Sequence, residues 1–556
     1  MNPPAKPWEE NLKRGLIMLR GSVPSVDSKA LHTFSRAPQA AIPRSKFNRS
    51  HGVKTTFNGG LLVPVLVDEM LPGDTFNLKM HAFARMATLH FPIMDNLYLE
   101  SFFFAVPYRL VWDNWEKFNG YQKNPGDPTD FLIPQMTAPA MGGAEESGLA
   151  DYMGIPTKIN SLSYNSLHFR AYNLIWNDWF RDENLQNSAP VDTDDGPDDY
   201  TDYRFCLRRG KRYDYFTSCL PFPQKGPDVT LPLGSTAPLV GNGGSTYIHT
   251  DFDTTNREMV VAGTTNPLSA SVLYSNSYAG TGSFGSSLKF STVPGDIGLD
   301  VDLTDATAAT INQLRQAFQT QKLYERDARG GTRYTEIIKS HFGVTSPDMR
   351  LQRPEYLGGG STPIMVNPVA QTSNTADSTE LGRLAAYGVC APHGHGFVYS
   401  ATEHCLILGL VCVRADINYQ TGLERMWSRQ TRLDFYWPAL SHIGEQAVLN
   451  KEIYAQGTSA DDDVFGYQER YAEYRYKPSQ ITGLFRSNAS GSLDSWHLAQ
   501  DFASLPVLND EFIVVNDPIN RVVDVTPPDF LFDCFFSYHC VRPMPVYSVP
   551  GLVDHF

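Results

Sequence analysis

The sequence predicts an antiparallel β-sandwich whose two halves are split by a long insertion. Three observations lead there. Residues Phe76–Met86 alternate apolar and polar with period two. Cys405–Val413 is an almost unbroken apolar run. Strand-like segments gather towards both ends of the chain, around a middle rich in loops and helix patterns.

Taken in order, residues 1–56 read as an extended arm, with prolines at Pro3, Pro4, Pro7, Pro24, Pro38 and Pro43. Leu61–Val67 is a first strand, ended by the turn Pro72-Gly73-Asp74. Phe76, Leu78, Met80, Ala82, Ala84 and Met86 form the buried face of a second. Leu97–Val106, too apolar for a solvated side, forms a third, and short turns suggest that the three start an antiparallel sheet. A helix is predicted over Ser163–Arg181, with Leu167, Ala171, Leu174 and Trp179 on one face. Another is predicted over Asp305–Ala328, capped by Thr304 or Asp305, lined by Ile311, Leu314 and Phe318, and ended at Gly330-Gly331. Strands resume at Phe397–Val413, Tyr471–Tyr476, Phe512–Val515 and Phe530–Val541. Gly358-Gly359-Gly360 reads as a flexible joint.

The resulting organisation is a basic arm (1–56), a first sandwich half (57–120), insertions (121–390), and a second half with a C-terminal arm (391–556). Residues 229–295 stand apart, with five charged residues in a stretch rich in Gly, Ser, Thr and Asn. That is too long for an ordinary loop. The apolar residues Tyr247, Ile248, Phe252, Met259, Val260 and Tyr274 favour a small exposed feature with its own structure.

The chain of 556 residues carries a formal charge of −14, unevenly distributed. Residues 1–54 hold ten basic and three acidic side chains, so an arm of +7 precedes a body of −21. A basic arm on an acidic body suits a polyanion held on one side. Single-stranded nucleic acid asks for cations to track phosphates and flat rings for bases to stack on. Arg44, Lys46, Arg49 and Lys54 interleave with Phe47 and His51. Arg204, Arg208, Arg209, Lys211 and Arg212 sit beside Phe205, Tyr213 and Tyr215, although salt bridging to the preceding acidic loop Asp192–Asp202 explains that cluster equally well. Arg425, Arg429 and Arg432 would share a face if helical, near Trp427, and an interface explains them as well.

Enzyme classes find little support. There is no Gly-x-Ser-x-Gly elbow, no phosphate-binding Gly-x-x-x-x-Gly-Lys loop and no Cys-x-x-Cys. His393 and His395 have strand spacing for one side, but in a Gly-rich turn they read as ordinary loop residues; no metal or cofactor is expected. The acidic runs Asp192–Asp202 and Asp461–Asp463 lack the spacing of a calcium loop and read as solvated. Seven widely spaced cysteines argue against a disulfide framework. No apolar run is long enough to span a membrane, and Leu16–Leu19 is too short for a signal-peptide core. A soluble protein made in a cytoplasm is expected. The competing reading is a secreted carbohydrate-binding or carbohydrate-cleaving β-sandwich.

Several long segments resemble the major capsid protein of gokushoviruses, a branch of the microviruses. They are Arg44-Ser-Lys-Phe-Asn-Arg-Ser-His-Gly-Val-Lys-Thr-Thr-Phe-Asn-Gly-Gly-Leu-Leu-Val-Pro64, Asp68-Glu-Met-Leu-Pro-Gly-Asp74, and Arg208-Arg-Gly-Lys-Arg-Tyr-Asp-Tyr-Phe-Thr-Ser-Cys-Leu-Pro-Phe-Pro-Gln-Lys-Gly226. Glu424-Arg-Met-Trp-Ser-Arg-Gln-Thr-Arg-Leu-Asp-Phe-Tyr-Trp-Pro438 and the closing Val549-Pro-Gly-Leu-Val-Asp-His-Phe556 complete the set. The resemblance implies an eight-stranded jelly roll with large insertions. Its copies would build, through pentamers, the smallest (T=1) icosahedral shell around circular single-stranded DNA. It implies as further partners a scaffolding protein, a small basic DNA-binding protein, a pilot protein and a host-cell receptor. Assembly in a bacterial cytoplasm is implied as well. It also makes 229–295 the expected protrusion at the three-fold axes.

Overall fold

The computed structural model describes residues 43–230, 239–241, 246–250, 253–259, 288–290, 299–301, 311–345, 352–373, 381–524 and 528–547. Residues 1–42 of the predicted arm, the cap at Thr304 or Asp305 and the segment Val549–Phe556 lie outside them.

Two sheets face each other. The strands in chain order are β1 (Ser45–Asn48), β2 (His51–Phe57), β3 (Val63–Met70), β4 (Thr75–Met86), β5 (Leu97–Pro107) and β6 (Glu355–Pro363). They continue with β7 (Met365–Ala370), β8 (Leu384–Cys390), β9 (His393–Ser400), β10 (Cys405–Ala415) and β11 (Phe530–Arg542). A seven-stranded sheet runs β1-β11-β4-β8-β7, with β2 also on β11 and β9 also on β4. A four-stranded sheet runs β6-β5-β10-β3. All these pairings are antiparallel.

The chain changes sheet at each step from β2 to β5 and again from β9 to β11, while β5–β6 and β7–β8–β9 stay within one sheet. This crossing between facing antiparallel sheets makes the core an all-β sandwich. It also corrects the expectation that the first three strands pair with one another. β3 pairs with β10 rather than with β4, because each turn carries the chain across the sandwich instead of folding it back as a hairpin.

The contrast between alternating and unbroken strands has a packing cause. Phe76, Leu78, Met80, Ala82, Ala84 and Met86 on β4 point into the core between the sheets, while their neighbours face outward and are exposed. β10 is instead buried along nearly its whole length. Val411 and Val413 join the core between the sheets, whereas Leu406, Leu408, Leu410 and Cys412 enter a second core on the outer side of the four-stranded sheet. There α1 (Leu167–Trp179) packs Leu167, Ala171, Tyr172 and Ile175 with Trp112 and Phe104. A sheet covered on both faces needs apolar residues at every position. Within the predicted span, Ser163–Asn165 is a short strand, and Trp179 at the far end is 39% exposed.

Other boundaries differ from the sequence reading. From Ser45 onward the predicted arm is sheet, since β1 and β2 add to β11 with Lys46 opposite Val541 and Lys54 opposite Asp533. Sheet strands return at Glu355, well before residue 391, and the stretch 416–529 is a second insertion, whose Tyr419, Val448, Phe465 and Phe512 build a third core together with Tyr215 and Phe216 of the first. The glycines 358–360 are no joint. A Cβ on Gly359 would lie 2.0 Å from the Ser101 carbonyl oxygen, and one on Gly360 would lie 2.5 Å from the His395 ring. Tyr471–Tyr476 is not a strand: Tyr471 adopts φ 64° and starts the 3₁₀ turn Ala472–Tyr474, with Tyr436 packed edge-on against Tyr471 and Tyr474. Phe512–Val515 begins instead as the helical turn Asp510–Ile513, because the Asn509 side chain accepts from the Phe512 N–H as an N-cap.

In the middle of the chain, α2 (Ile311–Arg329) and α3 (Tyr334–Phe342) follow as predicted for the first and unforeseen for the second. The described parts of 229–301 form a three-stranded sheet (Thr246–Thr250, Asp253–Met259, Leu288–Phe290) and a two-stranded one (Leu239–Gly241, Leu299–Val301).

Candidate nucleic-acid interface

The first basic segment lies on the margin of the seven-stranded sheet. Phe47 packs against the core, and its neighbours on β1 point outward. Lys46 is exposed and has no ion-pair partner among the described residues. Arg44 reaches the Gly73 carbonyl and Thr75 Oγ1. Lys54 meets Asp533 directly across the ladder at 2.8 Å, both side chains being well exposed. Arg49 differs, since it is bound to Asp68 and lies over the Tyr538 ring, whose hydroxyl also donates to Asp68. Arg44, Lys46 and Lys54 are therefore exposed at the sheet margin, Lys54 beside Asp533, whereas Arg49 and Phe47 hold the strand pair in place.

The second segment is tied down inside the subunit. Arg204 pairs with Glu145 and covers Phe205. Arg208 donates to the Val515 carbonyl at 2.9 Å. Arg209, Arg212 and Arg414 converge on the carboxylate of Glu100, and Arg212 also reaches Asp416 at 3.0 Å. Burial alone would raise the Glu100 carboxyl, but Arg209 and Arg414 overcome it and hold it below the usual carboxylate range. Lys211 is buried, donates to Gln500 Oε1 at 2.9 Å and lies over Phe512; burial pushes its ammonium down to about 8.

Of the two roles open to this segment, the geometry favours the structural one. The carboxylates used are not those of the acidic loop. That loop serves Arg170, which pairs with the buried Asp198, and Trp112, whose indole donates to Asp195 at 2.7 Å. Asp198 is thus buried in the second core, while Asp194, Asp195, Asp199 and Asp202 are exposed to solvent as the sequence suggests. Glu100 was missed in the sequence, although it is the sole charged residue of Leu97–Pro107, and a lone charge in an apolar strand demands buried partners.

Arg425, Arg429 and Arg432 share no helix. Arg425 opens the 3₁₀ turn Arg425–Ser428, Arg429 follows it in extended backbone, and Arg432 opens a second turn, Arg432–Asp434. Arg425 pairs with Glu452, Arg429 pairs with Glu473 and lies over Tyr474, and Arg432 covers Trp437. Around them a cavity of about 160 Å³ is lined by both signs of charge, including Arg470 and Lys451. Outside it, Trp427, Leu433, Phe435 and Ile443 are at least half exposed.

The two histidines do not share a side. A bulge between them leaves His393 on the outer surface opposite His81 and turns His395 into the core. There His395 bonds to Ser101 Oγ at 2.8 Å and Thr362 Oγ1 at 3.0 Å, and burial lowers its pKa. His395 is therefore a core residue, not a loop residue. All seven cysteines are free and buried. Among the described residues no helix is long and apolar enough to cross a membrane, and no group of three or more His, Cys, Asp or Glu side chains is placed to hold a metal ion.

Comparison with known proteins agrees along the whole chain. Residues 35–552 match the family described as capsid protein (F protein). Capsid protein VP1 of Bdellovibrio phage phiMH2K is 50% identical over 542 residues, covering 94% of this chain and 98% of the relative. Capsid protein VP1 of Chlamydia phage 1 is 45% identical over 580 residues, covering 93% and 97%. Capsid protein VP1 of Spiroplasma virus 4 is 36% identical over 548 residues, covering 94% and 98%. A sandwich with large inserted segments, cations tied up in structural pairs, and end-to-end identity to coat proteins agree on one conclusion: the chain belongs to the capsid protein (F protein) family, as a structural, self-assembling subunit of the virion and not an enzyme.

Proposed function

We propose that copies of this chain close into a small icosahedral shell, one subunit per asymmetric unit, around circular single-stranded DNA. In this reading the β1–β2 margin is turned towards the nucleic acid. The observation that carries it is the outward set Arg44, Lys46 and Lys54 on a chain of net charge −14. Positive charge concentrated on one side is what a packaged polyanion requires. The cations of Arg204–Arg212 belong to the subunit's own architecture and are assigned no share of DNA binding. Charge reversal at Arg44 and Lys46 tests the reading. The expected result is intact shells with reduced DNA per particle, and full packaging would overturn it. Arg49 is unsuitable for this test, because reversing it sets two carboxylates against each other at Asp68.

Closed shells need heterologous contacts that return on themselves around symmetry axes. The exposed Trp427, Leu433, Phe435, Tyr436 and Ile443 beside Arg429 and Arg432 have the composition of such contacts. The stretch 229–295 is assigned to the three-fold protrusion, supported by its weak charge and by the small sheets among its described residues. A density map of assembled particles with this stretch at the three-fold axes is the expected result; a map placing it inside refutes the assignment. Assembly is assigned to the host cytoplasm with the scaffolding, DNA-binding and pilot partners that the sequence resemblance implies, and entry to a host-cell receptor.

A further inference from the structure

We infer that the outer face of the seven-stranded sheet is a platform for single-stranded DNA, with bases stacked on Phe83 and Phe535 and phosphates drawn by Lys46, Lys54, Lys79 and Arg85. The inference rests on the reading that the shell encloses such DNA, and it names the surface involved.

The ladder registers set out this face as rows across the strands. One row is Gly52, Phe535, His81 and His393, carried by β2, β11, β4 and β9. The next row towards the end of β4 is Lys54, Asp533 and Phe83, followed by Thr56, Leu531 and Arg85. On the other side lies Lys79 beside Ser537, and further along Lys46 beside Val541 and Thr75. Rows on one face are about 7 Å apart, two residues along a strand.

Phe83 and Phe535 are half exposed, at 52% and 50%. Diagonal neighbours on adjacent strands, they give two flat rings within about 8 Å. The His81 and His393 rings continue the row, with centroids 5.8 Å apart. Gly52 leaves its far end open.

The charges decide the occupant. Lys46, Lys54, Lys79 and Arg85 face outward with a single acid, Asp533, among the residues of these rows, on a chain that is strongly acidic overall. Lys79 and Arg85 make no ion pair among the described residues. Lysine is depleted in the cores of protein–protein interfaces, which argues against a second copy seated here. Cations interleaved with rings on an open surface are the requirement for single-stranded nucleic acid.

The test uses the full-length purified chain with a fluorescent oligothymidylate, and particles carrying their genome. Phe83→Ala with Phe535→Ala is expected to weaken oligothymidylate binding by about thirtyfold or more, and Phe83→Trp with Phe535→Trp to retain it. Lys79→Gln with Arg85→Gln should reduce the slope of log affinity against log salt by about 1.4. Ultraviolet crosslinking of genome-filled particles should place nucleotide adducts on peptides containing Phe83 and Phe535. Unchanged affinity in the double alanine variant, with packaging still lost on charge reversal at Arg44 and Lys46, overturns the platform and leaves the DNA-enclosing reading standing. A wild-type chain that does not bind the oligonucleotide overturns the platform alone, and particles without DNA overturn both. A density map with a neighbouring subunit over Phe83 and Phe535 overturns the platform alone.

Discussion

Arg170 and Asp198 meet inside the second core with both side chains shut off from water, Arg170 Nε donating to the carboxylate at 2.7 Å. The guanidinium is satisfied further by the carbonyls of Val111 and Asp194. A pair so deeply buried is more costly to break than to replace. Asp198→Ala is expected to destabilise the subunit by about 3–5 kcal/mol, leaving Arg170 charged without its partner. Replacing both by apolar residues of similar volume should recover most of that loss, as read by denaturant unfolding of the unassembled protein.

Lys211 makes the subunit's stability rise on the alkaline side. Its ammonium is held down to about 8 by burial, against an unfolded value of about 10.4. Below pH 8 it is charged in both states and the desolvation penalty is fully present. Between about 8 and 10.4 the unfolded chain binds more protons, so the fold gains stability with pH. Lys211→Met should remove this slope and raise stability at neutral pH. A variant whose unfolding free energy tracks the wild type across that range would contradict the assignment.

Glu100 gives a slope of the same sign in the acid range. Its carboxyl lies below the usual range, so the stability it contributes is present above the unfolded carboxylate pKa and is lost as pH falls through its folded value. Glu100→Gln leaves three guanidiniums crowded around a neutral amide. The expected cost is about 3–5 kcal/mol at neutral pH, with a weaker acid dependence than the wild type, measurable by thermal unfolding at pH 3 to 7.

The thiols should be silent in the native protein. Burial raises Cys390 and Cys412 to about 11 and Cys405 and Cys534 to about 12. Thiolate is the reactive form, so a chromogenic disulfide reagent should titrate few of the seven thiols until denaturant is added. Prompt reaction of all seven at neutral pH would mean that the cores open readily.

The strands of this fold were legible one at a time, and their partners were not. The alternation on β4 and the unbroken run of β10 record how many faces each sheet buries, which is local information. That β3 pairs with β10 rather than with β4 is set by the path across the sandwich, and no window of sequence holds it. Short irregular turns misled for a related reason. Tyr471–Tyr476 has strand-like composition, but its rings pack within a turn that begins at a left-handed residue. In the basic segments, charge was visible and availability was not. Lys46 and Arg209 look alike in sequence; the second is committed to a glutamate more than a hundred residues away.

The last strand, β11, lies between β4 and the β1–β2 pair and is bonded to all three. During synthesis, therefore, β1 and β2 have no sheet to join until residues 530–542 have left the ribosome, while β4 can already hold β8 and β9. A premature stop before residue 530 yields a polypeptide whose first two strands lack their partner and whose β4 presents an open edge.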